Sequence, residues 1–431
     1  MPCQHMTKSN RRSFIKASGV TGVVALTGLA GCGGNGGNGS SGNSGSSSSS
    51  SGGQTSSGSS KPIILAADVP LSGPFASVGK DLKWGYELGV DRMNNNGILD
   101  REVKLLVKDD KTDPKQVHSN LTQMLSNNDV DLVLSSFADL LIANEVPIVE
   151  KHGVPLLAVA QSNAKLHNEN NTDWFYSPFP MSSDHVKSTK ALLDSIPASK
   201  RPSKVGIWVP NDAWSLTMAD GWEKVLKSDY DVVLREKHSE TAKDFSTLIS
   251  KTKSAGVEAL LGTPTPATGI TAQKQLNGAD YTPKFQQFVR AADTRAWTTA
   301  LGKAGTDVCN SSGWVPGLTG NGNSDMVSNF YKKYPKYPSG NTLPVMTGAA
   351  YNSTQVAEQA FKKAGSTDKK EVQAALRSTT FNTVCGSFSF NDRGIPQGFT
   401  APIGQWQNSN QHLVYPNSDG KQARDLVYPI Q

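Results

Sequence analysis

The sequence lacks the ligand spacings of metal enzymes and the motifs of common nucleotide and hydrolase sites. Its 431 residues include only 4 cysteines, with no C-x-x-C pair, and its 7 histidines form no H-x-H or H-x-x-x-H pair. No P-loop and no G-x-S-x-G elbow occurs either. These absences argue against an enzyme, and the sequence indicates no cofactor and no metal site.

Basic charge is also scarce once the first residues are set aside. The formal net charge of +6 comes from 43 basic and 37 acidic residues. Lys8, Arg11, Arg12 and Lys16 all precede Cys32, and without these four the 39 remaining basic residues nearly balance the acids. No later stretch is rich in lysine or arginine, so the composition gives no support for a nucleic-acid partner.

Long apolar runs are absent too. Residues 17–30 are weakly apolar, but they are too few and too rich in Gly and Thr for a transmembrane helix. They follow N-R-R-S-F-I-K and end in L-A-G before Cys32, an order that resembles a twin-arginine signal with a lipoprotein box. We expect residues 1–32 to be a signal peptide, with Cys32 lipidated and the protein anchored to the outer face of the cytoplasmic membrane.

A stretch of low complexity follows the predicted signal. Residues 33–60 contain only Gly, Ser, Asn, Gln and Thr, so they can bury no apolar surface. We expect a disordered tether. A flexible chain of this length would hold the folded part about 30 Å from the lipid.

From Lys61 onward, short apolar runs alternate with longer amphipathic segments. The alternation predicts the α/β class, with parallel sheets covered by helices. Two series of strands indicate two Rossmann-like lobes around a cleft, and ligands in such sheets bind at the carboxyl ends of the strands. The predicted strands are 63–69, 103–107, 130–134 and 156–160, then 205–209, 232–236, 259–261 and 285–289.

Several segments carry a family resemblance. They are D-V-P-L-S-G-P-F at 68–75, D-D-K-T-D-P at 109–114, H-G-V-P-L-L at 152–157, D-F-S-T-L-I at 244–249 and N-D-R-G at 391–394. In this order and spacing they resemble type I periplasmic binding proteins, in particular the branched-chain amino acid and amide-binding branch. The resemblance covers roughly residues 61–410.

The resemblance implies an architecture and a partner. The chain would form two lobes joined by a three-crossover hinge, with crossovers near Met181, Val315 and Gly398. The first lobe would comprise 61–181 plus 315–397, and the second 182–314 plus 398–431. The protein would capture a small polar solute, such as an amino acid or amide, for the permease and ATPase subunits of an ABC importer. A membrane-tethered sensor that reports to a receptor would use the same lobes and is the alternative.

The resemblance also implies a set of ligand-binding positions. In the first lobe, the family's hydroxyl and backbone contacts to a ligand carboxylate fall on Asp139 and on Ser162, beside Gln161. In the second lobe, the covering aromatic falls on Trp214. The loop after Leu261 would contribute Thr263, Pro264 or Thr265, the last being the preferred candidate. The acid that meets an ammonium falls on Arg290, while Phe75 or Tyr351 could line the cleft or pack in a core.

Two of these positions depart from the family pattern in charge. Asp139 would repel a ligand carboxylate, and Arg290 would repel an ammonium group. We therefore expect no simple α-amino acid in the usual pose. The two residues could pair across the cleft, or hold a ligand rich in amide, hydroxyl or acid groups. Plainer roles are an N-cap for Asp139, a packing role for Trp214 and a surface role for Arg290.

The two cysteines beyond the leader leave two alternatives open. Cys309 and Cys385 could form one disulfide, as exported proteins often do. They could equally be two separate buried thiols.

Overall fold

The computed structural model describes residues 61–169, 172–338, 343–417 and 424–430. The predicted signal, the lipidation site at Cys32 and the tether all lie outside the described residues. Within these ranges, no helix is both long and apolar enough to span a bilayer.

Strands and helices alternate along most of the chain. The strands are β1 Ile63–Val69, β2 Val103–Asp109, β3 Leu132–Leu134, β4 Leu156–Leu157, β5 Phe175–Tyr176, β6 Lys204–Pro210, β7 Asp231–His238, β8 Ala259–Gly262, β9 Phe285–Phe288, β10 Phe381–Thr383, β11 Gly386–Phe390, β12 Pro396–Gln397, β13 Ile403–Gln407 and β14 Asn410–Tyr415. The helices are α1 Ala76–Asn96, α2 Pro114–Asn127, α3 Ala138–His152, α4 Ala164–Glu169, α5 Ser182–Ser195, α6 Ala213–Leu226, α7 Ser246–Ser254, α8 Pro266–Asn277, α9 Arg295–Leu301, α10 Asn323–Lys333, α11 Val345–Ala364 and α12 Lys369–Ser378.

Two parallel sheets organise the molecule and confirm the predicted α/β class. The first has the order β2-β1-β3-β4-β5, and the second has the order β7-β6-β8-β9. In each sheet the first strand along the chain is central, and the chain then winds outward in both directions. This order creates a switch point beside the central strand, where ligands of open α/β sheets bind.

Each sheet has its own hydrophobic cores. The first sheet packs with α1 and with the returning segment that contains Trp314, Phe361 and Phe388. The second packs with α6 through Trp222 and with Ile403 and Val414 of the last strands. The chain passes between the two groups of core residues three times, and we call the groups the first and second lobes. The passages lie between Phe179 and Val186, between Cys309 and Trp314, and between Phe399 and Ile403.

The returning segment is fixed to the first lobe by close backbone packing. Helix α1 lies against α11, and a Cβ on Gly85 would be 2.3 Å from the Thr347 carbonyl oxygen. A Cβ on Gly89 would be 1.9 Å from Thr354 Oγ1. Only glycine permits this approach, so α1 and α11 form one rigid layer over the sheet.

Cys309 and Cys385 are two separate thiols, which is the second of the two predicted alternatives. Cys309 is fully buried in the second lobe, where it bridges β9 and β13 by pairing with Gln287 and Gln405. Cys385 packs against the core of the first lobe. Both are free thiols, so the possible Cys309–Cys385 disulfide is wrong: the two residues belong to different cores.

Candidate functional site

The polar residues of interest follow the carboxyl ends of strands in both lobes. Asp139 follows β3, and Ser162 follows β4. On the second lobe, Asp212 follows β6, Thr263 follows β8, and Arg290 follows β9. We use the term cleft for the space between the carboxyl ends of the first-lobe strands and those of the second-lobe strands. The term cleft cluster denotes Asp139, Asp212, Trp214 and Arg290.

Asp139 is half-buried at the start of α3, but it is not the N-cap. Phe137 occupies the N-cap position and Asp139 is the second helical residue, so the predicted capping alternative is wrong. The carboxylate accepts hydrogen bonds from the Ser162 backbone N–H and from the Asn163 side chain. Its Oδ2 atom is buried and has no hydrogen-bond partner in the described part of the chain.

Charged groups of both lobes shift the pKa of the Asp139 carboxyl group. Burial raises this pKa to about 7, the Ser162 N–H opposes the rise, the Asp212 carboxylate adds to it and the Arg290 guanidinium lowers it. Asp212 and Arg290 belong to the other lobe. The structure therefore brings Asp139 and Arg290 into one electrostatic cluster across the cleft.

Arg290 is held by several contacts within the second lobe. Its Nη2 donates to the Thr263 carbonyl at 2.6 Å, to Ser215 Oγ at 3.0 Å and to Asp212 Oδ2 at 3.1 Å. Its Nε donates to the same Thr263 carbonyl at 3.1 Å. The guanidinium carbon lies 4.9 Å from the centre of the Trp214 ring. A surface role for Arg290 is thus wrong, because the side chain is three-quarters buried, with 25% of it exposed.

Asp212 and Trp214 position this arginine from the start of α6. Asp212 is the N-cap of α6 and accepts from the Ser215 N–H at 2.9 Å and the Ser215 hydroxyl at 2.7 Å. Burial raises the pKa of Asp212, but Arg290 and the Ser215 bonds outweigh it and the pKa is lowered. Asp212 is therefore ionised at neutral pH. Trp214 is partly buried against the second-lobe core, and the Arg290 guanidinium lies over its ring.

The other predicted residues have local partners. Gln161 is fully buried, and its Oε1 accepts from Ser177 Oγ at 2.7 Å while its Nε2 donates to the Asn163 carbonyl. The Ser162 carbonyl accepts from both the N–H and the hydroxyl of Ser182, each at 2.9 Å. These contacts tie the loop after β4 to the first passage between the lobes.

The remaining candidates divide between the cleft and the cores. Thr265 is the N-cap of α8, with its hydroxyl 2.8 Å from that of Thr268. Phe75 makes an edge-to-face contact with Phe137, with 5.2 Å between the ring centroids. Phe137 lies two residues before Asp139 in the sequence. Tyr351 is only 3% exposed and belongs to the first-lobe core.

Sequence reasoning missed Asp212 as a charged member of the cluster. Asp212 is the N-cap of α6, which begins at Ala213, three residues before the helix start that hydrophobic periodicity indicates at Leu216. His238, at the end of β7, was also missed. Burial lowers its pKa, the Ser239 carbonyl opposes this, and Arg290 and Asp212 also influence it.

Three of the eleven non-glycine residues with positive φ in the described part of the chain lie beside the cleft cluster. Ala138, Ala160 and Arg290 all have positive φ, at 67°, 59° and 71°, although none is glycine. Each of the three lies a few residues after the end of a strand that faces the cleft. Such conformations persist only where surrounding contacts enforce them, and they are common at ligand-binding sites.

Two surface grooves lie away from the cleft. The larger, of about 940 Å³, runs between α1, α10 and α11 and is lined by Arg92, Asn321 and Tyr351 among others. The smaller, of about 570 Å³, lies beside α7 and includes Lys253 and Gln275. Neither groove includes a member of the cleft cluster.

Comparisons with known proteins agree with this architecture. Residues 62–410 match the family model described as periplasmic binding protein. A Leu/Ile/Val-binding protein homologue from Brucella melitensis is 24% identical over 386 residues, which cover 84% of this chain and 93% of that protein.

Solved structures share the fold at lower identity. The branched-chain amino acid transporter substrate-binding protein LivJ from Streptococcus pneumoniae, in complex with isoleucine, is 18% identical and gives a TM-score of 0.70. The alignment covers 81% of this chain and 98% of that one. A solute-binding protein from R. palustris, in complex with benzoate, gives a TM-score of 0.70 at 16% identity, over 82% of this chain and 96% of that one.

Proposed function

We propose, from the premise that this chain belongs to the periplasmic binding protein family, that it is the solute-binding component of an ABC importer. In this role the two lobes close on a small polar ligand outside the cytoplasm. The closed form then docks on permease subunits, whose ATPase partners drive import. The names of the relatives, which include Leu/Ile/Val-binding proteins and an ABC transporter component, support this assignment.

The observation that carries the proposal is the cleft cluster. Asp139 comes from the first lobe, whereas Asp212, Trp214 and Arg290 come from the second. A site divided in this way is complete only when the lobes approach each other. A ligand that contacts both sides therefore shifts the protein towards the closed form, because it binds that form more tightly.

The charges of the cluster favour a ligand unlike those of the two structural neighbours. Isoleucine and benzoate, present in those structures, both carry a carboxylate. The family resemblance assigns Asp139 to the position that would meet such a group, and the charge of Arg290 is already balanced by Asp212. We infer that the ligand is polar but does not bind as a simple α-amino acid does.

Binding measurements on an identified ligand test the site. The substitutions Asp139→Ala and Arg290→Ala should each weaken binding at least tenfold by calorimetry, because each removes a charged contact from one wall. Asp280→Asn is the matched control, since Asp280 is exposed and precedes β9, at the opposite end of that strand from Arg290. Unchanged affinity in both alanine variants would remove these residues from the site.

Export and anchoring complete the proposal. The twin arginines Arg11 and Arg12 would direct folded protein across the membrane, and Cys32 would receive the lipid that holds it there. Cys32→Ala should release the protein into the medium, and replacement of both arginines with lysine should retain it inside the cell. Cell fractionation measures both outcomes. Release of the unchanged protein would contradict the anchor.

Transport itself is tested with the importer. Permease and ATPase subunits, identified from genes that neighbour this one, are reconstituted in proteoliposomes, and ATP hydrolysis is measured with and without the liganded protein. Faster hydrolysis with the liganded protein supports import. No stimulation, together with a receptor encoded beside the gene, would favour the sensing alternative.

A further inference from the structure

A group of aromatic side chains lies on α1 and α10 at the surface of the first lobe. The Trp84 ring centroid is 5.2 Å from that of Tyr334 and 5.5 Å from that of Tyr337. Phe330 is fully buried against these rings, and Tyr331 makes an edge-to-face contact with it at 5.4 Å. Four of the rings remain partly exposed, namely Trp84, Tyr331, Tyr334 and Tyr337.

Lysines are interleaved with these rings. Residues 331–337 read Y-K-K-Y-P-K-Y, which is too few lysines for a basic run but alternates them with tyrosines. The Nζ atom of Lys80 lies 4.8 Å from the centre of the Trp84 ring, and that of Lys333 lies 6.0 Å from the centre of the Tyr334 ring. We use the term aromatic–basic face for the four partly exposed rings together with three exposed lysines, Lys80, Lys332 and Lys336.

The acids on this side of α1 are already paired. Asp91 forms an ion pair with Lys333 at 2.5 Å, and Glu87 forms one with Lys83. Glu87 also accepts a hydrogen bond from the Tyr334 hydroxyl at 2.7 Å. By contrast, no ion pair of the three lysines of the aromatic–basic face is present in the described part of the chain.

Two further acids adjoin the face. Burial raises the pKa of Asp81 to about 8, although Lys80 opposes the rise, so this carboxyl group is mostly protonated at pH 7. Asp325 faces the groove of about 940 Å³, where Lys332 is another lining residue. At most one ionised acid therefore opposes three lysines, and the aromatic–basic face keeps an excess of positive charge.

This combination fits the boundary between lipid headgroups and water. Anionic headgroups attract lysine, and each lysine near such a surface strengthens binding about fivefold. Tyrosine and tryptophan favour the same depth, because each ring has an apolar body and one polar atom. A soluble anion would require only the charge, so the cluster of partly exposed rings favours a membrane.

The part of the chain before Lys61 explains how so small a surface could suffice. Residues 1–32 and Cys32 predict a lipid anchor, and residues 33–60 predict a flexible tether of about 30 Å. Such a tether makes contact with the lipid surface an intramolecular event with a high effective concentration. Three lysines, together worth about a hundredfold in affinity, would then hold the face on the lipid for much of the time.

We propose that the aromatic–basic face docks the first lobe on the anionic phospholipid surface to which the protein is tethered. This inference goes beyond solute binding and rests on the proposed lipid anchor. The face shares no residue with the cleft cluster, so docking leaves the cleft available to solute. The docked lobe lies against the same lipid layer in which permease subunits are embedded.

Vesicle co-sedimentation tests the proposal. The full chain carrying Cys32→Ala cannot be lipidated, so any binding comes from the protein surface. Vesicles of phosphatidylcholine with an equal part of phosphatidylglycerol are compared with vesicles of phosphatidylcholine alone. The chain should bind the anionic vesicles at least tenfold more tightly, and about 0.5 M salt should remove most of the difference.

Matched lysine variants locate the contact. A triple glutamine variant at the lysines of the face should bind anionic vesicles about a hundredfold more weakly. The control is a triple glutamine variant with the same change in net charge at exposed lysines of the second lobe, which are Lys227, Lys237 and Lys243. The control should lose no more than about twofold.

Tryptophan fluorescence tests the aromatic part of the face. Lipids with brominated acyl chains quench tryptophans that reach the headgroup boundary, and Trp84 is the one tryptophan among the four rings. Anionic brominated vesicles should therefore quench part of the emission. The variant Trp84→Phe, which retains an aromatic ring, should lose that quenching. Quenching that is unchanged in Trp84→Phe would place another face on the lipid and overturn the proposal.

The other outcomes separate this proposal from the solute-binding role. Equal weakening in the two triple variants, or equal binding to both kinds of vesicle, would overturn the docking face. Tighter binding to soluble polyphosphate than to anionic vesicles would also overturn it, because the partner would then be a polyanion. The triple variant of the face should keep its midpoint shift with solute, so loss of vesicle binding leaves the solute-binding role unaffected.

Discussion

The guanidinium carbon of Arg295 lies 4.8 Å from the centre of the Tyr337 ring, and this contact joins the two lobes. Arg295 begins α9 in the second lobe. Tyr337 belongs to an aromatic group of the first lobe, where its ring centroid is 5.5 Å from that of Trp84 and 5.1 Å from that of Phe330. The contact therefore links the lobes at a place distinct from the cleft cluster.

The first prediction concerns this link. Arg295→Ala should weaken ligand binding about threefold to tenfold, because an exposed cation–π contact contributes about 0.5–1 kcal/mol and a desolvated one about 2 kcal/mol. The same change should increase the radius of gyration of the liganded protein in X-ray scattering. Lys80→Ala is the matched control: Lys80 lies 4.8 Å over Trp84 in the same aromatic group, but within one lobe. Equal effects of the two variants would show that the link does not stabilise closure.

The second prediction concerns the backbone at Arg290. With φ at 71°, a residue bearing a Cβ is strained there, and the side-chain contacts hold it in place. Arg290→Ala keeps the strain and loses the contacts, whereas Arg290→Gly loses the contacts and relieves the strain. Arg290 is the centre of a γ-turn with ψ at −54°. Because such a sparsely populated conformation costs roughly 1–3 kcal/mol for a residue with a Cβ, the glycine variant should unfold at higher urea than the alanine variant. If the alanine variant is the more stable, the strain is absent in solution.

The fold could be predicted from the sequence where the hydrophobic pattern is strongly periodic. The alternation of apolar runs predicted β1 correctly, and it found the other central strands of both sheets with ends that differ by a few residues. The short strands β5 and β12 were missed, because two residues carry no period. Helices α5 and α10 were also missed, although α10 is amphipathic, with Met326 and Phe330 buried and Asp325 and Asn329 facing the groove.

The site was predictable only in part. Asp139, Trp214 and Arg290 were predicted from family positions, and the structure brings them into one charged cluster. Asp212 and His238 were not predicted, since a helix cap and a strand end gain their role from tertiary neighbours that one sequence does not reveal. The separation of Cys309 from Cys385 likewise depends on which lobe receives each returning segment.

The third prediction concerns pH and three buried carboxyl groups under the first-lobe loops. Burial raises the pKa of Asp68 to about 8, and the Asn120 hydrogen bond only partly opposes this. Burial also raises the pKa values of Asp110 and Glu145. Ser136 joins two of these groups, donating its hydroxyl to Asp110 and its N–H to Glu145.

These raised pKa values determine the sign of the pH dependence. The folded state retains the Asp68 proton up to about pH 8, whereas an unfolded aspartic acid loses it near its model value of 3.8. Between these values the folded state binds more protons, so the free energy of unfolding falls as pH rises. Each pH unit corresponds to at most about 1.4 kcal/mol for one such group.

Chemical unfolding at several pH values between 5 and 8 measures this effect. Asp68→Asn keeps an acceptor for Asn120, which donates to Asp68 at 2.9 Å, but removes the titration. Its stability should therefore decline less with pH than that of the unchanged protein. Asp280→Asn should follow the unchanged protein. A variant curve parallel to the original would mean that Asp68 keeps an ordinary pKa.

The central claim, that this protein closes on a small polar solute, is tested most directly by a thermal unfolding screen. The purified chain is heated with amides, ureas, amidines, amino acids, aromatic acids, purines and sugars. A solute at one hundred times its dissociation constant adds about 2.7 kcal/mol to stability. For lobes of this size the midpoint should rise by roughly 5–10 °C. We expect such a rise for one chemical class, and no rise with any solute would contradict the binding role.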